Sequence, residues 1–184
     1  MSFDSDGHID PDEALRLLDL AHAAGASQDL VLLVESKGTA VDGESTRQFD
    51  DGKKRLDALG YMFSGYTQAR AGNAQNKVGM LNFSVVRQCD AATASLCSLF
   101  KSQVEDISVR VSSFKAGGDI SKDAQPTLEL IFDKVRIASM SILTASKLTG
   151  SCEILSFAYE SLEIRSAPQL SSGMRGAVRT CTFS

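Results

Sequence analysis

The residues of this chain best equipped for chemistry are two histidines, His8 and His22, an adjacent carboxylate pair, Asp50 and Asp51, and four cysteines, Cys89, Cys97, Cys152 and Cys181. A histidine pair ligates a metal or moves a proton only if both rings reach one point. His8 and His22 are too far apart in sequence to read as such a pair, and His22 falls on the surface of a predicted helix. Paired carboxylates can bind Ca²⁺ or do acid/base work. Here Lys53, Lys54 and Arg55 compete for them, so Asp50 and Asp51 read as part of a solvated loop. The cysteines form no Cys-x-x-Cys pair, which argues against a zinc knuckle or a dithiol redox motif, and they read as free, mostly buried thiols. Ala116-Gly117-Gly118-Asp119 follows one strand and leads to another, so it reads as a turn and not as a phosphate cradle. Tyr61, Phe63 and Tyr66 have no basic groove beside them for base stacking. No phosphate loop, dinucleotide fingerprint, His-Glu-x-x-His or Gly-x-Ser-x-Gly occurs. No catalytic, cofactor-binding or metal-ligating residue is therefore assigned, and the chain reads as non-enzymatic.

With 184 residues and 43% hydrophobic content, the chain can build one ordinary core, so a single globular domain is expected. A formal charge of −4 argues against nucleic acid or an anionic membrane surface as a partner. No apolar run approaches the roughly 20 residues needed to cross a bilayer, so membrane insertion is not expected. The opening residues lack the basic and apolar stretches of a Sec signal peptide, which predicts synthesis in the cytoplasm and export, if any, by another route.

The elements follow from patterning. Asp10 as cap, Pro11 at the first helical position, Asp12 and Glu13 at the positive end and Gly25 as terminator predict a helix over 11–24. Leu17, Leu20, Ala21 and Ala24, with Leu15 and Leu18 beside them, give it a wide apolar stripe. Beyond Asp29 the chain changes to short β-rich runs separated by Gly, Ser, Asp and Asn, predicting strands at 30–35, 59–67, 78–88, 107–114, 127–142, 153–166 and 177–183. Helical spacing of Ala92, Leu96, Leu99 and Phe100 after Asp90 predicts a second short helix over 91–101. In 127–142 the alternation of Leu128, Leu130 and Phe132 resumes one residue late at Val135 and Ile137. In 153–166, Leu155, Phe157 and Tyr159 likewise give way to Leu162 and Ile164. Each phase change is either a β-bulge or a strand apolar on both faces because its outer face meets another subunit. Residues 36–55 are poor in apolar side chains and mix both charges, so they read as a long exposed loop, either functional or disordered.

Several fragments, in order, are similar to the haemolysin-coregulated protein (Hcp) family of type VI secretion: Gly43-Glu44-Ser45 after the first strand, the aromatic-alternating Gly60-Tyr61-Met62-Phe63-Ser64-Gly65-Tyr66, and Lys115-Ala116-Gly117-Gly118 closing a strand. The long strand Leu128-Glu129-Leu130-Ile131-Phe132-Asp133-Lys134-Val135-Arg136-Ile137 and Glu153-Ile154-Leu155-Ser156-Phe157-Ala158-Tyr159, leading to Pro168-Gln169, complete the set. The resemblance implies a mainly β (α+β) chain: an Hcp-like β-barrel or two-sheet domain over 29–184, with one short internal helix, preceded by a helical extension over 1–28. It implies hexameric rings stacked into a tube, with a spike protein, a contractile sheath and secreted effectors as partners, and export through the type VI apparatus. An effector or toxin domain on a β-scaffold, or a tube protein of a related contractile apparatus, is the alternative. For ring stacking the expected residues are Gly43, Glu44, Ser45, Asp50, Asp51, Lys53, Lys54 and Arg55, because complementary charges set register and polarity.

Overall fold

The computed structural model describes residues 28–68, 77–115, 125–144, 150–168 and 175–184. The helix predicted over 11–24 and the Gly117-Gly118 turn lie outside them. Among the described residues, alternating patterns give strands β1 (Gln28–Ser36), β2 (Thr39–Ala40), β3 (Leu56–Ala58), β4 (Gly60–Met62), β5 (Gly65–Gln68), β6 (Lys77–Met80) and β7 (Phe83–Gln88). Helix α1 (Ala92–Ser102) follows, then β8 (Ile107–Lys115), β9 (Leu128–Leu143), β10 (Cys152–Ala158), β11 (Ser161–Ser166) and β12 (Arg179–Phe183). The chain is mainly β, and the one helix among the described residues lies where the Ala, Ser and Leu spacing placed it. Three predicted runs are each two strands: 59–67 divides into β4 and β5, 78–88 into β6 and β7, and 153–166 into β10 and β11. The two short strands β2 and β3 fall inside or beside the charged segment and carry no apolar run to announce them.

Among the described residues every pairing is antiparallel, and β9 organises them. Its first half pairs with β8 on one side and β11 on the other, and its second half pairs with β10, which pairs with β7, which pairs with β4. On the other flank β8 pairs with the whole of β1. The path then closes: β3 pairs with β1 through Leu30 and Ala58, β4 pairs with β7 through Gly60 and Val86, and the Leu59 amide between them donates to the Val86 carbonyl at 2.8 Å. The result is a barrel in which β9 passes from one sheet to the other, as strands do at the corners of packed sheets. Strands β5 and β6 form a separate two-stranded sheet.

Strand alternation decides what fills the barrel. Leu32 and Val34 of β1, Val109 and Val111 of β8, Leu130 and Phe132 of β9, Phe83 and Val85 of β7, and Leu155 and Phe157 of β10 point inward and are buried together. Phe83 is the aromatic hub, with ring centroids 4.4 Å from Phe132 and 6.2 Å from Phe157, while Phe132 meets Tyr159 edge-on at 4.8 Å. Offset and edge contacts of this kind add to area burial because ring edges and faces carry opposite partial charge.

The phase change in 127–142 is a bulge. Ile107 faces Val135 while Val109 faces Phe132, so β9 spends one more residue than β8 there, and Lys134 takes φ +50. A second shift, between Ser156 and Phe157 on the β10 side, moves the inward position from Ile137 to Met140. Each extra residue bends the strand and lets β9 serve both sheets. In 153–166 the change marks the break between β10 and β11 at Tyr159 and Glu160, beside the bulge, where the Glu160 amide donates to the Asp133 carbonyl at 3.3 Å.

Candidate assembly surface

Residues 41–55 are not a free loop but a strap across the outside of β1 and β8. Asp29, Val31, Leu33 and Glu35 of β1, and Ser112 and Phe114 of β8, sit on that outer face by alternation and register. Arg47, only 7% exposed, lays its guanidinium 4.1 Å from the centroid of the Phe114 ring and bonds Asp29 Oδ2 at 2.7 Å. Phe49 meets Phe114 at 6.1 Å, and Arg55, 5% exposed, lies over the Phe49 ring at 4.3 Å and bonds Asp51 Oδ2 at 2.7 Å. Lys53 pairs with Glu35. The sequence reading of this segment as a long exposed loop is therefore corrected. Arginine and phenylalanine bury one another by stacking, so a segment poor in aliphatic residues still covers a sheet face.

The expected stacking residues divide into two groups. Gly43 fits because its backbone runs against β3: a Cβ there would lie 2.1 Å from the Arg55 carbonyl oxygen, which also accepts the Ser45 amide at 3.1 Å. Glu44 reaches the start of α1, where its Oε1 accepts the Ala91 amide at 3.3 Å. Asp51, Lys53 and Arg55 have partners inside the subunit. Asp50 and Lys54 are exposed at the tip, beside a turn in which Gly52 at φ +68 donates to the Phe49 carbonyl at 3.0 Å. Sequence reasoning missed Arg47, Phe49 and Phe114, and the one available signal was the interleaving of Arg and Phe.

A second charged constellation is inside the barrel. Arg87 lies on the same face of β7 as Phe83 and Val85, and its guanidinium pairs with Glu153 of β10 and with Asp90. Asp90, one residue before the N-cap Ala91, accepts the amide of Ala92, the first residue of α1, on Oδ1 at 2.8 Å. The helix start is thus tied to the sheet through charge. Glu153 Oε2 and Arg87 Nε find no hydrogen-bond partner among the described residues.

These groups are poorly placed for catalysis. Partial burial pushes the Asp51 carboxyl up, but hydrogen bonds from Arg55 and Lys53 and their charges more than offset this and hold it below its usual value. Burial, reinforced by the charge of Glu153, raises the Cys89 thiol, and burial raises Cys152, so both are disfavoured as thiolates. All four thiols are free, but only Cys152 is buried, while Cys97 and Cys181 are exposed, which corrects the expectation of mostly buried cysteines. His8 and His22 lie outside the described residues. Among the described residues no group of three His, Cys, Asp or Glu is placed to hold a metal, and no helix is long and apolar enough to cross a membrane.

No protein-family model and no curated protein matches the chain. Solved structures do. Hcp1 from Salmonella typhimurium is similar at 19% identity and a TM-score of 0.65, over 85% of this chain and 94% of that one. A type six secretion system protein matches at 20% identity and a TM-score of 0.66, over 82% of this chain and 91% of that one. A structure described as a type VI secretion system effector from Yersinia pestis matches at 18% identity and a TM-score of 0.59, over 83% and 98%. At such identities it is the fold that is shared: the mainly β fold of this chain, with its antiparallel sheet, is the Hcp fold of type VI secretion proteins.

Proposed function

We propose that the chain is a structural subunit of a type VI secretion inner tube, closing into hexameric rings that stack head to tail and carry or chaperone effectors. The observation that supports this most is the likeness to Hcp1 over 94% of that chain, which leaves little of the solved Hcp fold without a counterpart here. In this reading a heterologous side contact repeats until the ring closes. The ends of the ring then meet through the rim of the strap, with Asp50 and Lys54 at its tip supplying charge and Gly43, Glu44, Ser45, Asp51, Lys53 and Arg55 fixing its shape. Partners are further copies of the chain, a spike protein, a contractile sheath and secreted effectors. The chain is made in the bacterial cytoplasm and leaves through the apparatus.

The likeness to a structure described as an effector favours a second reading, a secreted effector on the same scaffold. Electron microscopy of the purified protein separates the two. The tube reading expects rings with six-fold averages, some of them stacked; a field of small globular particles at the same concentration overturns it.

A further inference from the structure

We propose that the ion pair inside the barrel is a binding site for internal water, held by Arg87 Nε and Glu153 Oε2. Strand register makes the pair: Arg87 of β7 faces Glu153 of β10, on the side of the sheet that also carries the buried Val85 and Leu155. A guanidinium only donates hydrogen bonds and an ionised carboxylate only accepts them. Arg87 Nη1 donates to Glu153 Oε1, and Nη2 lies 2.5 Å from Asp90 Oδ2. Asp90 Oδ1 is taken by the Ala92 amide. One donor, Nε–H of Arg87, and one acceptor, Oε2 of Glu153, are then left over, both sealed from solvent and without a partner among the described residues. Leaving atoms of charged groups buried and unpaired costs more than the entropy of holding an ordered water.

Charge selects the occupant. One guanidinium stands against two carboxylates, so an anion drawn to Nε–H would be repelled by Glu153 and Asp90. A metal cation drawn to Oε2 would meet the guanidinium instead, and among the described residues no group of three His, Cys, Asp or Glu is placed to hold one. Water donates to Oε2 and accepts from Nε–H while adding no charge to the barrel. The two atoms belong to groups already joined by the bond from Nη1 to Oε1, so covalent geometry keeps them within reach of one water or of two in a row. A route is present as well. The side chains of Arg87 and Glu153 are 1% and 0% exposed, but that of Asp90 is 13% exposed and Cys89 beside it is half-buried, so the site meets solvent at the start of α1. Water held there completes a polar chain from β10 through Arg87 and Asp90 to the first turn of the helix, and lets the pair stay charged among apolar side chains. The inference does not depend on tube formation.

A crystal structure of the full chain, at a resolution that places waters, tests it. Expected is a water-sized peak within hydrogen-bonding distance of Glu153 Oε2 and Arg87 Nε, as well ordered as the strands around it and without anomalous signal at long wavelength. Both atoms paired to protein groups, or both with no density beside them, overturns the proposal. So does an anomalous peak or a cation's coordination shell, which would make the site an ion site. Oxygen-17 relaxation dispersion of the solvent reads the same water in solution. Arg87→Met with Glu153→Leu fills the site with apolar atoms and should lower the dispersion amplitude while the far-ultraviolet circular dichroism is kept. An undiminished amplitude in the folded double variant overturns the proposal; if that variant does not fold, the wild-type density decides.

Discussion

Arg87 of β7 and Glu153 of β10 face each other directly across two antiparallel strands, and their side chains form an ion pair of which 1% and 0% of the surface reaches solvent. Around them the face is Val85, Leu155 and Phe157, so the pair is an island of charge inside an apolar barrel. Its low-dielectric setting strengthens the attraction and makes either partner alone expensive.

Truncating one member should therefore cost far more than replacing both. Glu153→Ala leaves the Arg87 guanidinium with Asp90 alone and is expected to destabilise the subunit by about 3–5 kcal/mol, whereas Arg87→Met combined with Glu153→Leu recovers most of that loss. Denaturant unfolding of the three proteins checks it. Equal losses in the single and double variants would show that the pair does not act as a unit.

The strap makes a contrast between neighbours. Arg55→Glu drives a carboxylate against Asp51 under the Phe49 ring and should cost about 3 kcal/mol or more, while Lys54→Glu and Asp50→Lys, both at the exposed tip, should leave subunit stability within about 0.5 kcal/mol. In the tube reading the tip variants instead shorten stacks, and salt shortens wild-type stacks over a similar range. Lys54→Glu with Asp50→Lys forming stacks as long as wild type at low salt would take the strap tip out of ring stacking.

Much of the barrel was legible because its signal is local. The apolar runs give the strands, the alternation of Leu130 and Phe132 and of Leu155 and Phe157 gives an inward face, and the one-residue delay at Val135, open in the sequence between a bulge and a strand apolar on both faces, falls where the bulge lies. Asp90 likewise announced α1. What was not legible needed a partner distant in sequence: β2 and β3 are too short to show periodicity, and Arg47 looks solvated until Phe114, far along the chain, is placed beneath it. The candidate stacking residues were read as one charged patch because sequence cannot tell Lys53, paired with Glu35, from the exposed Lys54.

Tyr159 gives a pH dependence. Its hydroxyl donates to the Leu81 carbonyl at 3.1 Å, and burial pushes its pKa up to about 12 from an ordinary 10.0. A raised pKa means that the folded state favours the neutral phenol. The associated stability is complete below pH 10 and falls as pH rises through about 12. Burial raises Tyr61 as well, so tyrosinate absorbance should show late-titrating tyrosines of which Tyr159→Phe removes one, and the same substitution should flatten the alkaline loss of stability. Late-titrating absorbance of undiminished amplitude in Tyr159→Phe would assign it to other residues.

Solution mass decides whether the Hcp fold of this chain serves a ring. Sedimentation equilibrium of the purified full chain at high micromolar concentration and physiological salt should give about six times the 19.7 kDa chain mass, or higher multiples where rings stack. A single species at the mass of one chain under those conditions would contradict the account.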